Sequence, residues 1–271
     1  MTRLKTAVGV VIVAILLFPL YWMINASLQT NTQIASPDPH WLPFGGTVDG
    51  YRDAFAQQGG HLLTSVVVAA TTTALTLLIA IPAAYAIALL RTPGGQPLLF
   101  VLLVVQLVPG IVMANALYRI MSSLDLLNSG PALVLADSTL AVPFAVLILQ
   151  AFMSAIPREL LEAAGVDGAN RLRTLLSIVL PVSRNAVITA ALFAFLFTWG
   201  DFLFATTLNL SSPAWTPITV GLYDFIGAGT NTTSWNSVMA TGVLASLPVA
   251  VLLVVAQRHV AAGLSSGALK D

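Results

Sequence analysis

Cysteine is absent from this chain, and charge is scarce. The first absence excludes a disulfide framework, a thiolate metal site and a cysteine nucleophile. The second decides more. The 271 residues carry 11 basic and 11 acidic side chains, 8% of the chain, where a soluble protein carries about 25%. Such a chain cannot coat a water-facing globule with charge. With 57% apolar residues it also lacks the low hydrophobicity and high charge of a disordered protein. The net charge of zero gives no reason to expect nucleic acid as a partner. Lysine is the scarcest charge: Lys5 and Lys270 sit at the two ends. A P-loop needs lysine within G-x-x-x-x-G-K-[ST], where it reaches the terminal phosphates, and neither lysine has that context. Any nucleotide energy must therefore be released by another polypeptide. His40, His61 and His259 form no metal-ligand pattern, so neither a metal nor a cofactor is expected in this chain.

What the chain has instead is long apolar runs. A hydrocarbon core of ~30 Å needs ~20 mostly apolar residues in a helix. Six stretches qualify, roughly 7–27, 62–90, 98–118, 132–156, 185–208 and 237–256. The second is long enough to tilt or project beyond the bilayer. Charge enters two of the six, as Asp137 and Asp201. The runs are apolar on every face, as in Val101-Leu102-Leu103-Val104-Val105, and lack the alternation of a membrane β-barrel. The prediction is an all-α polytopic membrane protein, one transmembrane domain over 1–271 with six spans. The first run is longer than a signal-peptide core and reads as a retained anchor.

Orientation follows from lysine and arginine. With an inside N-terminus, Arg3, Lys5, Arg91, Arg158, Arg171, Arg173, Arg184, Arg258 and Lys270 fall on the cytoplasmic side, and only Arg52 and Arg119 fall outside. Both termini are thus expected in the cytoplasm. The arginine- and alanine-rich composition hints at a GC-rich genome.

The segment 157–184 is longer than a simple connector requires. Pro157 suits a helix start, and Glu159 complements the helix dipole. Gly165 and Gly168 bracket Val166-Asp167, which reads as a break. A second helix follows, with Leu172, Leu175, Leu176, Val179 and Leu180 on one face and Arg171, Arg173, Thr174 and Ser177 on the other, ended by Pro181. Periodicity alone allows either an interfacial hairpin that anchors the bundle or a docking element for a cytoplasmic partner.

The motif within this segment is specific. Glu162-Ala163-Ala164, three residues, Gly168, nine residues, then Ile178-Val179-Leu180-Pro181 fills E-A-A-x3-G-x9-I-x-L-P at every fixed position. The chain resembles, by this signature, the membrane subunits of bacterial ATP-binding-cassette importers. Pro19-Leu20-Tyr21-Trp22-Met23-Ile24-Asn25-Ala26-Ser27-Leu28, Pro39-His40-Trp41-Leu42-Pro43, Ala83-Ala84-Tyr85-Ala86 and Asp167-Gly168-Ala169 extend the resemblance to the maltose-type carbohydrate permeases. Two departures stand out: Trp199-Gly200-Asp201-Phe202 replaces the usual Trp-Asn, and Val182-Ser183-Arg184-Asn185 after Pro181 lacks the usual second proline.

The resemblance implies a type I importer permease fold. It implies that Glu162, Ala163, Ala164, Gly165, Asp167, Gly168, Ile178, Leu180 and Pro181 form a coupling loop held by an ATPase subunit. It implies that a tail with Gly263, Leu264, Ser266, Gly267 and Lys270 reaches the ATPases, and that an outer loop with Gly227, Gly229, Thr230, Asn231 and Thr232 enters the sugar cleft of a binding protein. A disordered connector has the same loop composition. The implied partners are a second homologous permease subunit, two ATP-binding subunits that hold ATP and magnesium, an extracytoplasmic sugar-binding lipoprotein and the bilayer. Gln106, Asn115, Tyr118, Trp199 and Asp201 are candidate pathway residues, because sugars are held by aromatic faces and by amide or carboxylate groups. Asp201 has a second reading, a solvated position at the bilayer edge. Pro82, Pro109, Pro143 and Pro248 are either mobile kinks or static.

The reading is a non-catalytic permease subunit of a di- or oligosaccharide importer, for a trehalose- or maltose-like sugar. Alternatives are a permease of the same family for a polyol or glycerol phosphate, and an ion-coupled secondary transporter. The latter needs charged relays within spans, and only Asp137 and Asp201 are available. An intramembrane enzyme needs a nucleophile and base at mid-membrane depth, and none is present.

Overall fold

The computed structural model describes the backbone of residues 2–90, 92–227 and 234–268, and the side chains of those from Leu4 to Gln257. Among the described residues the regular structure is helical, without strands. The helices are α1 (Thr2–Ser27), α2 (Asn31–Ile34), α3 (Asp49–Ala88), α4 (Gly95–Val105), α5 (Gly110–Ser123), α6 (Gly130–Met153), α7 (Arg158–Val166), α8 (Arg171–Thr174), α9 (Leu180–Val182), α10 (Arg184–Trp199), α11 (Leu203–Leu208), α12 (Ile218–Gly227) and α13 (Trp235–Ala268). A wide π-turn, Leu175–Val179, joins α8 to α9.

Leu4–Ser27, Asp49–Ala88, Gly130–Met153 and Trp235–Gln257 are each long and apolar enough to cross a membrane unbroken. Two further apolar segments are bent pairs, α4 with α5 at 103° and Arg171–Val182 with α10 at 82°. The run expected over 98–118 is thus divided between α4 and α5. Pro109 lacks an N–H and keeps Val108 from helical backbone, so α4 stops and Pro109 becomes the residue before α5, with φ −58° and ψ 133°. The run over 185–208 is likewise divided, at Gly200-Asp201-Phe202. Pro82, Pro143 and Pro248 lie inside continuous helices.

The chain divides into two compact units. The first comprises residues 1–62 and 218–249. Its loop after α1 is tied down by backbone acceptors: Asn25 Nδ2 and Gln29 Nε2 both donate to the His40 carbonyl, at 2.8 and 2.7 Å. Tyr21 donates its hydroxyl to the Trp41 carbonyl, and Trp22 meets Trp41 edge-on at 5.6 Å. Gly50 lies against the start of α13, where a Cβ would stand 2.9 Å from the Asn236 backbone.

The second unit comprises residues 63–217 and 250–271. Its core is small and aliphatic: Ala80, Ala84, Ala145, Leu149, Met153, Val179 and Ala190 are buried together. Small side chains let helix backbones approach closely where lipid offers no hydrophobic drive.

Candidate functional site

The hairpin between α6 and α10 belongs to the second unit, and its geometry explains the spacing of its motif. Pro157 precedes α7 in extended backbone, φ −58° and ψ 137°. At the far end Gly168 N–H donates to the Gly165 carbonyl at 3.1 Å, and Ala169 N–H donates to the Ala164 carbonyl at 2.9 Å. This pair of bonds is a Schellman cap, which requires left-handed backbone at the residue following the cap. Gly168 supplies it at φ +73°. A Cβ on Gly168 would meet nothing within 4 Å. Within this chain the glycine is therefore needed for its backbone conformation. Asn170 then opens α8, its Oδ1 accepting from Arg173 N–H at 2.8 Å.

Glu162 and Ala163 lie exposed on α7, while Ala164 faces inward at 3% exposure. No hydrogen bond or ion pair holds the Glu162 carboxylate among the described residues. Gly165, Asp167 and Gly168 are exposed, and Val166 beside them is 89% exposed. The apolar face expected on the second helix is split. Leu175 at 7% and Val179 at 0% pack into the core, whereas Leu172 at 63% and Leu176 at 54% stand out from it. Only one row of that face reaches the bundle, so the other is left uncovered by this chain. Thr174, expected on the polar face, is buried and donates to the Asn170 carbonyl at 3.0 Å. Ile178 and Leu180 are half-buried. Pro181 does not end the segment. It sits in the first turn of α9, where its missing N–H costs nothing, and the chain breaks at Ser183 instead.

The five pathway candidates lie on two segments, the α4–α5 region and the end of α10 with the break that follows it. Gln106 lies in the α4–α5 break, half-buried, with Nε2 donating to the Leu140 carbonyl at 3.1 Å. Asn115 is exposed and donates to the Ile111 carbonyl at 3.2 Å, and Tyr118 is half-buried. Trp199 is buried and stacks on Phe195 at 5.5 Å. Asp201 accepts from the N–H groups of Phe204 and Ala205, at 3.1 and 2.9 Å. It thus starts α11, a role that neither earlier reading of this residue contained. Arg119 was not among the candidates, yet it is exposed one helical turn beyond Asn115. The i, i+4 spacing of an amide and a guanidinium on one helix face was the signal available for it. Of the outer-loop candidates, Gly227 ends α12 and is exposed, while Gly229, Thr230, Asn231 and Thr232 lie outside the described residues. Gly263, Leu264, Ser266 and Gly267 fall within α13, their side chains outside the described set, and Lys270 lies outside the described residues. Among the described residues no group of three metal ligands comes together.

Residues 76–266, which include the whole hairpin, match the family of binding-protein-dependent transport system inner membrane components. The chain belongs to this family. Curated relatives include the sulfoquinovosyl glycerol transport system permease protein SmoH of Agrobacterium fabrum, 36% identical over 94% of this chain and 89% of that protein. Another is the trehalose transport system permease protein SugB of Mycobacterium tuberculosis, 30% identical over 96% and 94%. Among solved structures, a chain of a bacterial ABC transporter that imports the acidic polysaccharide alginate superposes with a TM-score of 0.83. It covers 95% of each chain at 18% identity, a likeness of fold. The all-helical importer permease fold expected from the sequence is the one observed.

Proposed function

We propose that this chain is the permease subunit of an ATP-driven sugar importer in a bacterial cytoplasmic membrane. Each bent helix pair counts as one span in this reading, giving six spans in a single membrane domain, with both termini in the cytoplasm. The observation that carries the proposal is the hairpin: an exposed short helix, capped by its own backbone, with an unpaired Glu162 carboxylate and an uncovered apolar row at Val166, Leu172 and Leu176. Such a surface suits insertion into a cleft on an ATPase subunit. Closure of the paired ATPases would then move α6 and α10 through the hairpin. The chain itself does no covalent chemistry, and ATP and magnesium belong to the ATPase partners.

A second permease subunit completes the pathway, and an extracytoplasmic binding protein delivers the sugar. The relatives named above are assigned to glycosides, so the solute class is a di- or oligosaccharide or a related glycoside. Trehalose is one member of that class.

Co-purification with the candidate partners, followed by an ATPase assay with and without sugar-loaded binding protein, tests the reading. Stimulation by loaded binding protein is expected. Transport by the chain alone, without ATPase subunits, would overturn it. Thermal stabilisation of the cognate binding protein across a panel of disaccharides, polyols and glycerol phosphate identifies the solute. Deleting residues 228–232 should impair sugar release more than binding-protein docking, and unchanged uptake would remove that loop from the mechanism.

A further inference from the structure

The loop after α1 exposes apolar side chains on a backbone that makes little use of water. Trp41, Leu42, Phe44 and Val48 are exposed, Phe44 to 79%. Residues 39–48 include no Asp, Glu, Lys or Arg, and Asp38 and Asp49 flank them. The consecutive carbonyls from His40 to Phe44 each accept a hydrogen bond from within the chain. His40 takes the Asn25 and Gln29 amides, and Trp41 takes the Tyr21 hydroxyl. Leu42 takes the Phe44 N–H at 2.9 Å, Pro43 takes the Gly46 N–H at 3.0 Å, and Phe44 takes Gln33 Nε2 at 3.0 Å. Pro39 and Pro43 have no N–H to satisfy. A loop in water gains little from such pairing, because water serves each carbonyl. At the edge of hydrocarbon an unpaired carbonyl is costly, and irregular backbone persists there only when its polar groups are satisfied.

The level of the loop is set by α1. Counting about 20 residues on from Lys5, the length that crosses a hydrocarbon core, reaches Asn25. Tyr21 and Trp22 lie about 4–6 Å short of that point, at 1.5 Å per residue. The Trp41 ring returns to their level. It meets Trp22 at 5.6 Å and Phe18 at 6.4 Å. Phe18, Tyr21 and Trp41 are all exposed, so they form one aromatic face beside the end of the span. Tryptophan and tyrosine concentrate at this depth, where the ring is apolar and the polar tip is wet.

We propose that residues 39–48 form a membrane-interface anchor. The loop folds back along α1 and seats Trp41, Leu42 and Phe44 at the headgroup–acyl boundary, and the occupant of this face is lipid. The inference rests on α1 spanning the membrane, as proposed above. It also gives the loop a task. None of the apolar window of α1 is buried by the rest of the chain, so its depth is set at its ends. Arg3 and Lys5 hold one end, and the aromatic loop holds the other.

The test follows tryptophan emission of the full chain in nanodiscs of phosphatidylcholine brominated high on the acyl chain. Of the five tryptophans, Trp41 and Trp235 are the exposed ones, so Trp41→Phe should remove about half or more of the emission that the lipid quenches. Phenylalanine keeps the apolar ring, so the fold should persist. Iodide, a quencher confined to water, should spare the lost component. Phe44→Trp added to Trp41→Phe should restore quenching by lipid. Unchanged lipid quenching in Trp41→Phe, or a Trp41 component sensitive to iodide, would overturn the anchor. The same pair of chains is then measured in the assembled importer. Retained quenching supports lipid as the occupant, and its loss there shows that a second subunit covers the loop and overturns the proposal. Ile15→Trp in the Trp41→Phe chain reports on the span itself. If lipid quenches position 15 and not Trp41, the anchor alone fails. If lipid quenches neither, the span reading fails with it.

Discussion

The two ends of the second unit handle polar groups in opposite ways. At the hairpin end they lie at the surface and the backbone satisfies itself: α7 closes through Gly168, and α8 opens on Asn170. Glu162 is left unengaged and exposed. At the opposite end Asp137 and Thr198 are buried, and Asp201 is drawn in to start a helix. If the hairpin receives an ATPase subunit as proposed, that end keeps its charge outside and its fold independent of the visitor. An end that packs against itself hides its charge, and must then compensate it internally.

The sharpest break in this contrast comes at the hairpin. Glu162→Ala should uncouple ATP hydrolysis from uptake by about tenfold or more, because a charged hydrogen bond to a partner contributes about 1.5–3 kcal/mol. Gly168→Pro should do the same by destroying the cap. Glu162→Ala should leave the melting temperature of the isolated chain nearly unchanged, since the residue is exposed, whereas Gly168→Pro should lower it locally through strain and the lost N–H bond. Wild-type uptake by either variant in proteoliposomes would remove the hairpin from the coupling path.

At the opposite end the order reverses, and stability should suffer first. A Cβ on Gly130 would stand 2.4 Å from the Trp215 ring, so Gly130→Ala should cost about 1–3 kcal/mol by overpacking. Thermal unfolding measures the loss, and Trp215→Ala in the same chain should recover part of it. Asn128 adopts φ +60° and holds Ser211. Asn128→Ala should cost about 1–2 kcal/mol through left-handed strain and the lost hydrogen bond.

The smallest effect sharpens the contrast within the hairpin itself. Gly165 is helical, and a Cβ there meets nothing within 4 Å. Gly165→Ala should therefore stabilise α7 by about 0.5–1 kcal/mol. If it disrupts coupling instead, the partner approaches Gly165 as closely as a missing side chain permits.

The sequence was most readable where a residue performs a backbone task. Gly168 and Pro157 announce a break and a helix boundary through their own chemistry, and the structure places each at one. It was less readable where the outcome depends on a neighbour. Leu172 and Leu175 are chemically the same, yet one is exposed and the other buried, because only the bundle decides which row is covered. Pro109 marked an interruption, but the 103° turn depends on the next helix finding its own seat. Asp201 looked like a pathway or solvent-edge charge, because the short helix it starts is too brief to show a periodic pattern of its own. The chain's membrane character was plain from charge scarcity.

The open space around Gly168 has one more consequence. Within this chain nothing there limits size; the limit is on handedness. An L-alanine is forced toward a conformation natural to its mirror image, whereas a D-alanine placed at 168 by semisynthesis would rest at φ +73° without strain. At this position the motif records an absence of chirality, and a mirror-image residue should preserve the turn that nearly every natural substitution distorts.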